Sequence, residues 1–375
     1  MSGNKPAPTK PGANSKLLER QAVRSPLEAF RQNPLVQMLR PAHAKSAATA
    51  AATWLMPGLR GEAVPNMLQP ASAQLGKIGS LEVRLAQTKG DVKRAQKLRY
   101  KVFYKNGSAI ADAATMLAQR DKDSFDKICD HLLVVDHAAK PTMSGKQPVV
   151  GTYRLLRQDV AEEHGGFYTG DEFDISGLME RQSGLKFLEL GRSCVLPPYR
   201  TKRTVELLWH GVWSYVRRHN LDVMIGCASF EGTDPDRLAL PLSFLHHFAA
   251  APEGWRASAH PSRRVEMNRI AKDDVETKAA LRMLPPLIKG YLRVGAFVGD
   301  GAVVDHQFGT TDVLIVMPVS AISGRYLDHF GGDATRHAAC SRKVGTGFRN
   351  RSCRDKSRAA NLVSRSTAAA TEPFR

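Results

Sequence analysis

The chain has 375 residues, 42% of them hydrophobic, and a formal net charge of +18. This length suits one large domain or two ordinary ones with a sizeable core. No apolar run reaches the roughly eighteen residues that a membrane span needs, which argues against one. The first residues lack the order of a secretory signal, so we expect a cytoplasmic protein. Five scattered cysteines, never spaced as a zinc or redox pair, predict no metal centre.

The positive charge is concentrated near the two ends of the chain. Residues 1–60 hold nine basic and two acidic side chains, and residues 335–375 hold ten and two, which leaves a net +3 between them. Nucleic-acid enzymes usually place positive charge on the folded surface beside stacking aromatic residues, so we expect no nucleic-acid partner. These two basic tails fit an anionic membrane surface or an acidic protein better, with non-specific charge as the plain alternative.

We predict that an N-terminal extension, residues 1–78, is largely disordered, because residues 1–13 and 41–53 are rich in Pro, Ala, Ser and Lys. Between them lies "LLERQAVRSPLEAFRQNPLVQMLR", a weakly amphipathic stretch interrupted by two prolines and a candidate for contact with a membrane surface. A folded domain is predicted over residues 79–334. Residues 335–375 show no periodicity and predict a disordered basic tail.

The folded part reads as strands alternating with helices. "LEVRLAQ" predicts a strand, and residues 91–104 predict an amphipathic helix capped by Asp91. Residues 275–295 predict a helix that Pro285 and Pro286 kink or divide. Further strands are predicted at "HLLVVD", "PVVGTYRLL", "KFLELGRSCVL", "LDVMIGCASF" and "DVLIVMPV". This order indicates an α/β fold with a mixed, twisted sheet flanked by helices.

One stretch combines a strand, a turn and a helix start: "FLELGRSCVLPPYRTKRTVELLWHGVWSYV". The turn after the strand brings Arg200, Lys202 and Arg203 to the first turn of the helix. First-turn amides have no intrahelical partner, and the helix dipole favours an anion there, so this pattern predicts a phosphate site. The glycines that usually let a backbone close around phosphates are missing.

Six blocks of the sequence, in this order, carry a resemblance to a known family: "LRYKVFYKNG", "DKDSFDKICDHLLVVD", "VVGTYRLLR", "FLELGRSCVLPPYR", "LPPLIKGYLRVGA" and "DHQFGTTDVLIVM". They resemble the L-ornithine Nα-acyltransferases of bacterial ornithine-lipid synthesis. Those enzymes have the GNAT acyltransferase fold and are related to the acyl-homoserine lactone synthases. The resemblance covers roughly residues 80–330, and the residues after about 337 are unlike the family.

The resemblance implies transfer of a 3-hydroxyacyl chain from acyl carrier protein to the α-amine of L-ornithine, which gives lyso-ornithine lipid. It implies no cofactor beyond the phosphopantetheine arm of the carrier, and no catalytic metal. Two other enzyme classes stay open, an acyl-homoserine lactone synthase and an N-acyltransferase for another amino acid. A non-enzymatic binder of membranes or nucleic acid is a further alternative, against which the nearly balanced central charge argues.

In the homoserine lactone synthases a cluster of charged residues lies beside the acyl site. The positions of this chain that match that cluster are Arg99, Asp123, Asp126, Arg154, Glu189 and Arg192, with Phe103 as the aromatic residue of the first helix. The alternative is that these charges form ion pairs that brace the N-terminal part against the sheet.

The chemistry explains why Glu189 and Arg192 are the predicted catalytic pair. An α-ammonium attacks a thioester only after losing a proton, and Glu189 is expected to accept it directly or through one water. Arg192 is expected to keep Glu189 ionised or to bind the substrate carboxylate. Residues three apart face opposite sides of a regular strand, so a β-bulge at Gly191 is required to turn both toward one cleft. The second ammonium of ornithine is expected to pair with an aspartate.

The first turn of the helix that follows the strand indicates which acyl donor the enzyme uses. Acetyl-CoA enzymes of the GNAT fold hold a pyrophosphate with a Q/R-x-x-G-x-G/A turn, and here Arg203 and Val205 fill the glycine positions. This departure favours a carrier protein, which is acidic and whose arm has one phosphodiester. A thiol intermediate is not expected because no His lies near Cys194 in sequence. The predicted phosphopantetheine-binding residues are Cys194, Val195, Arg200, Lys202 and Arg203.

Overall fold

The computed structural model describes residues 73–322. The two basic tails and the amphipathic stretch lie outside the described residues, so the predictions made for them remain predictions. Among residues 73–322, no helix is both long and apolar enough to cross a membrane.

The described chain forms one sheet with helices on its faces. The strands are β1 Gln74–Ile78, β2 Leu81–Leu85, β3 Asp130–Asp136, β4 Val149–Arg157, β5 Phe173–Asp174, β6 Phe187–Val195, β7 Val223–Glu231, β8 Ser258–Ala259, β9 Arg264–Val265, β10 Phe297–Asp305 and β11 Thr310–Pro318. The helices are α1 Lys89–Tyr100, α2 Ala113–Ala118, α3 Gln158–Glu163, α4 Ser176–Arg181, α5 Lys202–His219, α6 Ala239–Phe248, α7 Thr277–Met283 and α8 Pro286–Val294.

The sheet is mixed, as the sequence predicts. Its strand order is β1-β2-β3-β4-β6-β7-β11-β10-β8-β5, and β9 pairs with β10. Neighbours are antiparallel except that β6 runs parallel to β7 and β8 parallel to β10. A parallel pair needs a crossover connection, and α5 supplies it between β6 and β7.

Alternation along β3 explains how both faces of the sheet are covered. Leu132 and Val134 lie in the cluster that includes the buried side of α5, whereas Leu133 and Val135 pack with α1. Successive side chains of a strand point to opposite faces, so one apolar run serves two layers. Each fully buried Leu or Val contributes roughly 1.5–3 kcal/mol relative to exposure.

Three local predictions need correction or refinement. The first strand, β1, lies before residue 79, where the folded domain was predicted to begin. Thr88, not Asp91, caps α1, and Asp91 instead pairs with Arg84 and Arg94. The helix also stops being regular at Tyr100 and continues as a π-helical turn, Lys101–Lys105. The proline pair divides the later helix into α7 and α8, as expected.

Candidate active site

A cleft opens where β6 and β7 separate. The two strands pair only over Phe187–Glu189 and Val223–Ile225. At the next step they still pass closely, because a Cβ on Gly226 would lie 2.3 Å from the Leu190 carbonyl oxygen. Beyond this point the two strands line a cavity of about 430 Å³.

A β-bulge in β6 brings Glu189 and Arg192 to this one cavity. Arg154 on β4 pairs with Gly191 and Thr152 pairs with Cys194, so β6 contains one extra residue between these points. The predicted bulge is therefore present, but it lies one residue later than expected. Gly191 stays in register, and Arg192 takes the unusual conformation, with φ of 50°. A left-handed conformation costs a non-glycine residue roughly 1–2 kcal/mol, which the contacts of the Arg192 guanidinium offset.

Three arginines and three aspartates alternate in a closed ring of ion pairs behind the cavity. Arg99 is fully buried, and its Nε lies 2.7 Å from Asp121 Oδ2 and its Nη2 2.8 Å from Asp126 Oδ2. Burial opposes ionisation of Asp126, yet the Arg99 hydrogen bond lowers its pKa to about 2. The order around the ring is Arg99, Asp121, Arg192, Asp123, Arg154, Asp126.

The rest of the ring has the ion pairs of the bracing alternative for five of the six matched charges, whereas Glu189 takes no part in it. Arg154 Nη1 lies 2.5 Å from Asp123 Oδ2, and Arg192 Nη2 lies 3.3 Å from the same oxygen. These pairs tie α1 and the segment before β3 to strands β4 and β6. Breaking a buried pair leaves an uncompensated charge, at a cost of about 3–5 kcal/mol. Asp121, which completes the ring, was missed, although it opens the second matching block.

Aromatic rings fix the Arg192 guanidinium at the edge of the cavity. The guanidinium carbon lies 5.0 Å from the Tyr168 ring centre and 4.4 Å from that of Phe308. Phe103, on the π-helical turn, meets Phe308 edge-on at 5.8 Å and lines the cavity. Such cation–π contacts contribute up to about 2 kcal/mol when desolvated.

The Glu189 carboxylate is held by backbone and hydroxyl donors. It is 4% exposed, and it accepts hydrogen bonds from the Thr169 amide at 2.6 Å, the Thr169 hydroxyl at 2.5 Å and the Tyr168 amide at 3.2 Å. Burial nevertheless raises its pKa. Glu189 and Arg192 form no ion pair in the described structure, so the prediction that Arg192 holds Glu189 ionised is wrong. The reason is that the Arg192 guanidinium turns to Asp121 and Asp123.

The predicted phosphopantetheine-binding residues are divided between the cavity, the core and solvent. Arg200 lines the cavity and donates to the Val195 carbonyl at 3.1 Å. Lys202 and Arg203 are exposed on the first turn of α5, outside the cavity lining. The Cys194 side chain packs in the core beside α1, and burial raises its pKa to about 12. A thiol held neutral in the core gives no support for a nucleophilic role.

A second acidic group lies beside the cavity. One oxygen from each of Glu172, Asp305 and Asp312 lies within 4.8 Å of the others, so these side chains could hold a cation. Burial and the nearby Asp312 raise the pKa of Glu172 to about 7. The sequence prediction missed this group. Asp305 and Asp312 do lie in the last matching block, but Glu172 follows an irregular loop that carries no periodic signal.

Known proteins resemble this chain in sequence. A family model for the acetyltransferase (GNAT) domain matches residues 98–210. An L-ornithine N(alpha)-acyltransferase of Agrobacterium fabrum is 52% identical over 261 residues, 70% of this chain and 88% of that protein. A protein of the same name from Rhodobacter capsulatus is 41% identical and covers 67% of this chain and 95% of its own.

Two solved structures are more distant. An N-acyl amino acid synthase from uncultured soil microbes is 8% identical, with a TM-score of 0.36 over 64% of this chain and 91% of its own. An acyl-homoserine lactone synthase is 11% identical, with a TM-score of 0.35 over 72% of this chain and all of its own.

A mixed sheet that opens beside a charged cavity, together with the family match, defines an acyltransferase with the GNAT fold. The fold and the class of enzyme predicted from the sequence are thereby confirmed. The chain belongs to the family of the L-ornithine N(α)-acyltransferases, with 52% identity over most of its length.

Proposed function

We propose that this acyltransferase moves a 3-hydroxyacyl chain from acyl carrier protein to the α-amine of L-ornithine and so makes lyso-ornithine lipid. The observation that carries the proposal is the 52% identity to relatives named L-ornithine N(alpha)-acyltransferase. The geometry is compatible with it, because a cavity that holds both acidic and basic side chains suits an amino acid with two amines and a carboxylate.

The donor is acyl carrier protein, which delivers the chain on its phosphopantetheine arm without a separate cofactor. Support comes from the basic residues around the end of β6. Arg200 lines the cavity, where one phosphodiester could reach it, and Lys202 is 89% exposed on the neighbouring helix turn. Exposed cations suit the acidic surface of a carrier protein, and complementary charge speeds its encounter.

Glu189 accepts the proton of the α-ammonium, directly or through one water. Burial raises the pKa of its carboxylate and so makes it a better base. Its bonds from Tyr168 and Thr169 fix its position. Arg192 lines the same cavity at the bulge itself, where it can receive the carboxylate of the amino acid. The aspartates paired with Arg192 position it rather than act on the substrate.

The transfer then balances as an ordinary acyl substitution. The neutral α-nitrogen attacks the thioester carbon, forming the C–N bond and a tetrahedral oxyanion. Backbone amides of β6 past Glu189, where its pairing with β7 has ended, stabilise that charge. The oxyanion collapses, the C–S bond breaks, and the phosphopantetheine sulfur leaves as a thiolate that takes up a proton. The acylated nitrogen loses its remaining extra proton, which gives the amide.

We further propose that the enzyme works at the cytoplasmic face of the membrane, held there by its basic tails. Nine and ten basic side chains in the two tails support this, since each basic residue near an anionic surface contributes on the order of 1 kcal/mol. The product, which has one acyl chain, would then form next to the bilayer that receives it.

Lipid analysis tests the proposed product. The gene is expressed in a bacterium that makes no ornithine lipid, and the lipids are examined by mass spectrometry beside those of a Glu189→Gln variant. We expect lyso-ornithine lipid carrying a 3-hydroxyacyl chain from the natural sequence and a strong decrease from the variant. An acyl-homoserine lactone, or a lyso-lipid of another amino acid, would contradict the proposal and support one of its alternatives.

A further inference from the structure

Three carboxylates from separate elements meet beside the cavity, and two of them, Asp305 and Asp312, line it. Glu172 precedes β5, Asp305 ends β10 and Asp312 lies on β11. Their oxygens approach within 4.8 Å of one another. We call these three side chains the acidic triad. Like charges this close repel, so the site is costly unless a cation accompanies it.

The protein balances the acidic triad only in part, with hydrogen bonds from Cys227 to Glu172 and from Ser229 and Thr310 to Asp312. Glu172 is 3% exposed and Asp312 is 7% exposed. One oxygen of each, Glu172 Oε2 and Asp312 Oδ1, is buried and has no hydrogen-bond partner in the described part of the chain. Asp305 Oδ1 accepts from two loop amides. Two guanidiniums are near: Arg263 Nη2 lies 3.5 Å from Glu172 Oε1, and Arg192 attracts Asp312. Buried acceptors without donors indicate that a ligand with hydrogen-bond donors belongs here.

The acidic triad lies within reach of the proposed base. Asp305 and Asp312 line the same cavity as Glu189. The Glu189 Oε1 atom contacts the Thr169 hydroxyl at 2.5 Å, and the Cys227 sulfur lies 4.0 Å from that hydroxyl. Cys227 in turn adjoins Glu172. The side chains of Thr169 and Cys227 thus connect the base to the acidic triad. An extended ornithine measures roughly 6 Å from its α-nitrogen to its δ-nitrogen, so both amines fit within the cavity that Glu189, Asp305 and Asp312 line.

We infer that the acidic triad binds the δ-ammonium of the acceptor amino acid and thereby selects ornithine over amino acids that lack a side-chain amine. This inference rests on the proposed function and goes beyond it by assigning the specificity site. With the α-amine at Glu189 and the δ-ammonium between Glu172, Asp305 and Asp312, only the α-nitrogen faces the thioester. The same contacts therefore account for acylation at the α-position.

An ammonium fits this site better than a metal ion. An ammonium has three N–H donors, one for each carboxylate of the acidic triad. Its single charge is also compatible with the guanidinium of Arg263 nearby, whereas a divalent ion would be repelled more strongly. The raised pKa of Glu172 also lets this side chain take up a proton when no ammonium is bound, which lowers the negative charge of the acidic triad.

Norvaline provides the comparison, because it has the ornithine carbon chain without the δ-amine. The kcat/KM of the natural sequence is measured for both amino acids with 3-hydroxyacyl carrier protein. We expect ornithine to be preferred by roughly 100-fold or more, since buried polar groups left unpaired discriminate strongly. Equal kcat/KM values for the two amino acids would overturn the inference without any variant being needed.

Two variants then test whether the acidic triad causes the preference for ornithine over norvaline. Asp305→Asn and Asp312→Asn should each lower kcat/KM for ornithine by roughly 10- to 100-fold, chiefly through KM, because each removes a charged hydrogen bond. The loss for norvaline should be much smaller, so the ratio of the two kcat/KM values falls. Asp300→Asn is the matched control, since Asp300 lies on the same strand as Asp305 but pairs with Arg264. It should keep the ratio of the natural sequence.

The outcomes separate this inference from the proposed function. If ornithine is acylated but the ratio is unchanged in both variants, the acidic triad is not the specificity site, although the function stands. If no amino acid is acylated by the natural sequence, the proposed function fails and the assignment fails with it. Loss of activity on chelation, restored by a divalent ion, would make the triad a metal site and overturn the inference.

Discussion

Replacing Glu189 by Gln tests whether this side chain accepts a proton or only holds a loop. The carboxylate accepts three hydrogen bonds from Tyr168 and Thr169. A glutamine keeps one oxygen for Thr169, but its amide nitrogen must face the Tyr168 N–H, so one bond is lost and two donors meet. We expect that loss to cost about 1–3 kcal/mol of unfolding free energy.

An opposing effect reduces this stability cost. Burial raises the pKa of Glu189, so the folded protein bears a penalty for keeping the carboxylate charged near neutral pH. Glutamine removes that penalty, and we expect the variant to stay folded, with a net loss toward the lower end of the range. If Glu189 is the base, kcat should nevertheless decrease by roughly 10² to 10⁴. The activity of the natural enzyme should decrease at acidic pH as Glu189 is protonated. The Glu189→Gln variant should not show this decrease.

Thr169→Val is the matched control. It removes the hydroxyl bond to Glu189 and leaves the carboxylate and the Thr169 amide bond in place. Chemical unfolding and single-turnover acyl transfer are measured for both variants. We expect similar losses of stability, about 1 kcal/mol, but a large loss of kcat only in Glu189→Gln. Equal rate losses, or a Glu189→Gln enzyme as fast per folded molecule as the natural one, would refute the role of Glu189 as base.

Three further predictions concern charge. Reversing the charge of Arg200, Lys202 and Arg203 should raise KM for acyl carrier protein, and the penalty should shrink in salt, which screens exposed charges beyond about 8–10 Å; a salt-independent loss would indicate misfolding. Burial and Asp312 raise the pKa of Glu172 from 4.5 to about 7, so its protonated form favours folding. Urea unfolding should show the natural protein losing on the order of 3 kcal/mol relative to Glu172→Gln as pH rises between these values; parallel pH curves would contradict this. Removing both basic tails should weaken binding to anionic vesicles while turnover persists, and loss of turnover would count against it.

The sequence predicted the regular parts of the fold because their patterns are local. Continuous apolar runs gave β3, β4, β6, β7 and β11, and the proline pair gave the division between α7 and α8. The predictions failed where a contact from another element decides the structure. Asp91 resembles a helix cap, but Arg84 on β2 draws its carboxylate into an ion pair, and Thr88 caps the helix.

The same distinction between local patterns and contacts from distant elements applies to the site. The resemblance implied that Glu189 and Arg192 lie beside one cleft, and strand geometry then required a bulge between them to turn both inward. Which residue bulges depends on Arg192, whose guanidinium is fixed by Tyr168, Phe308 and two aspartates distant in sequence. The acidic triad joins a loop and two strands, and no spacing in the sequence brings those together before the sheet forms.

The central claim is acyl transfer from carrier protein to the α-amine of ornithine, and one reconstituted assay tests it most directly. Purified protein is incubated with a 3-hydroxyacyl carrier protein or the matching acyl-CoA, and with ornithine or each other amino acid in turn. Mass spectrometry follows the product and fixes the acylated nitrogen. We predict Nα-(3-hydroxyacyl)ornithine, formed much faster from the carrier protein than from acyl-CoA. No acylated ornithine from either donor, or faster acylation of another amino acid, would contradict the account.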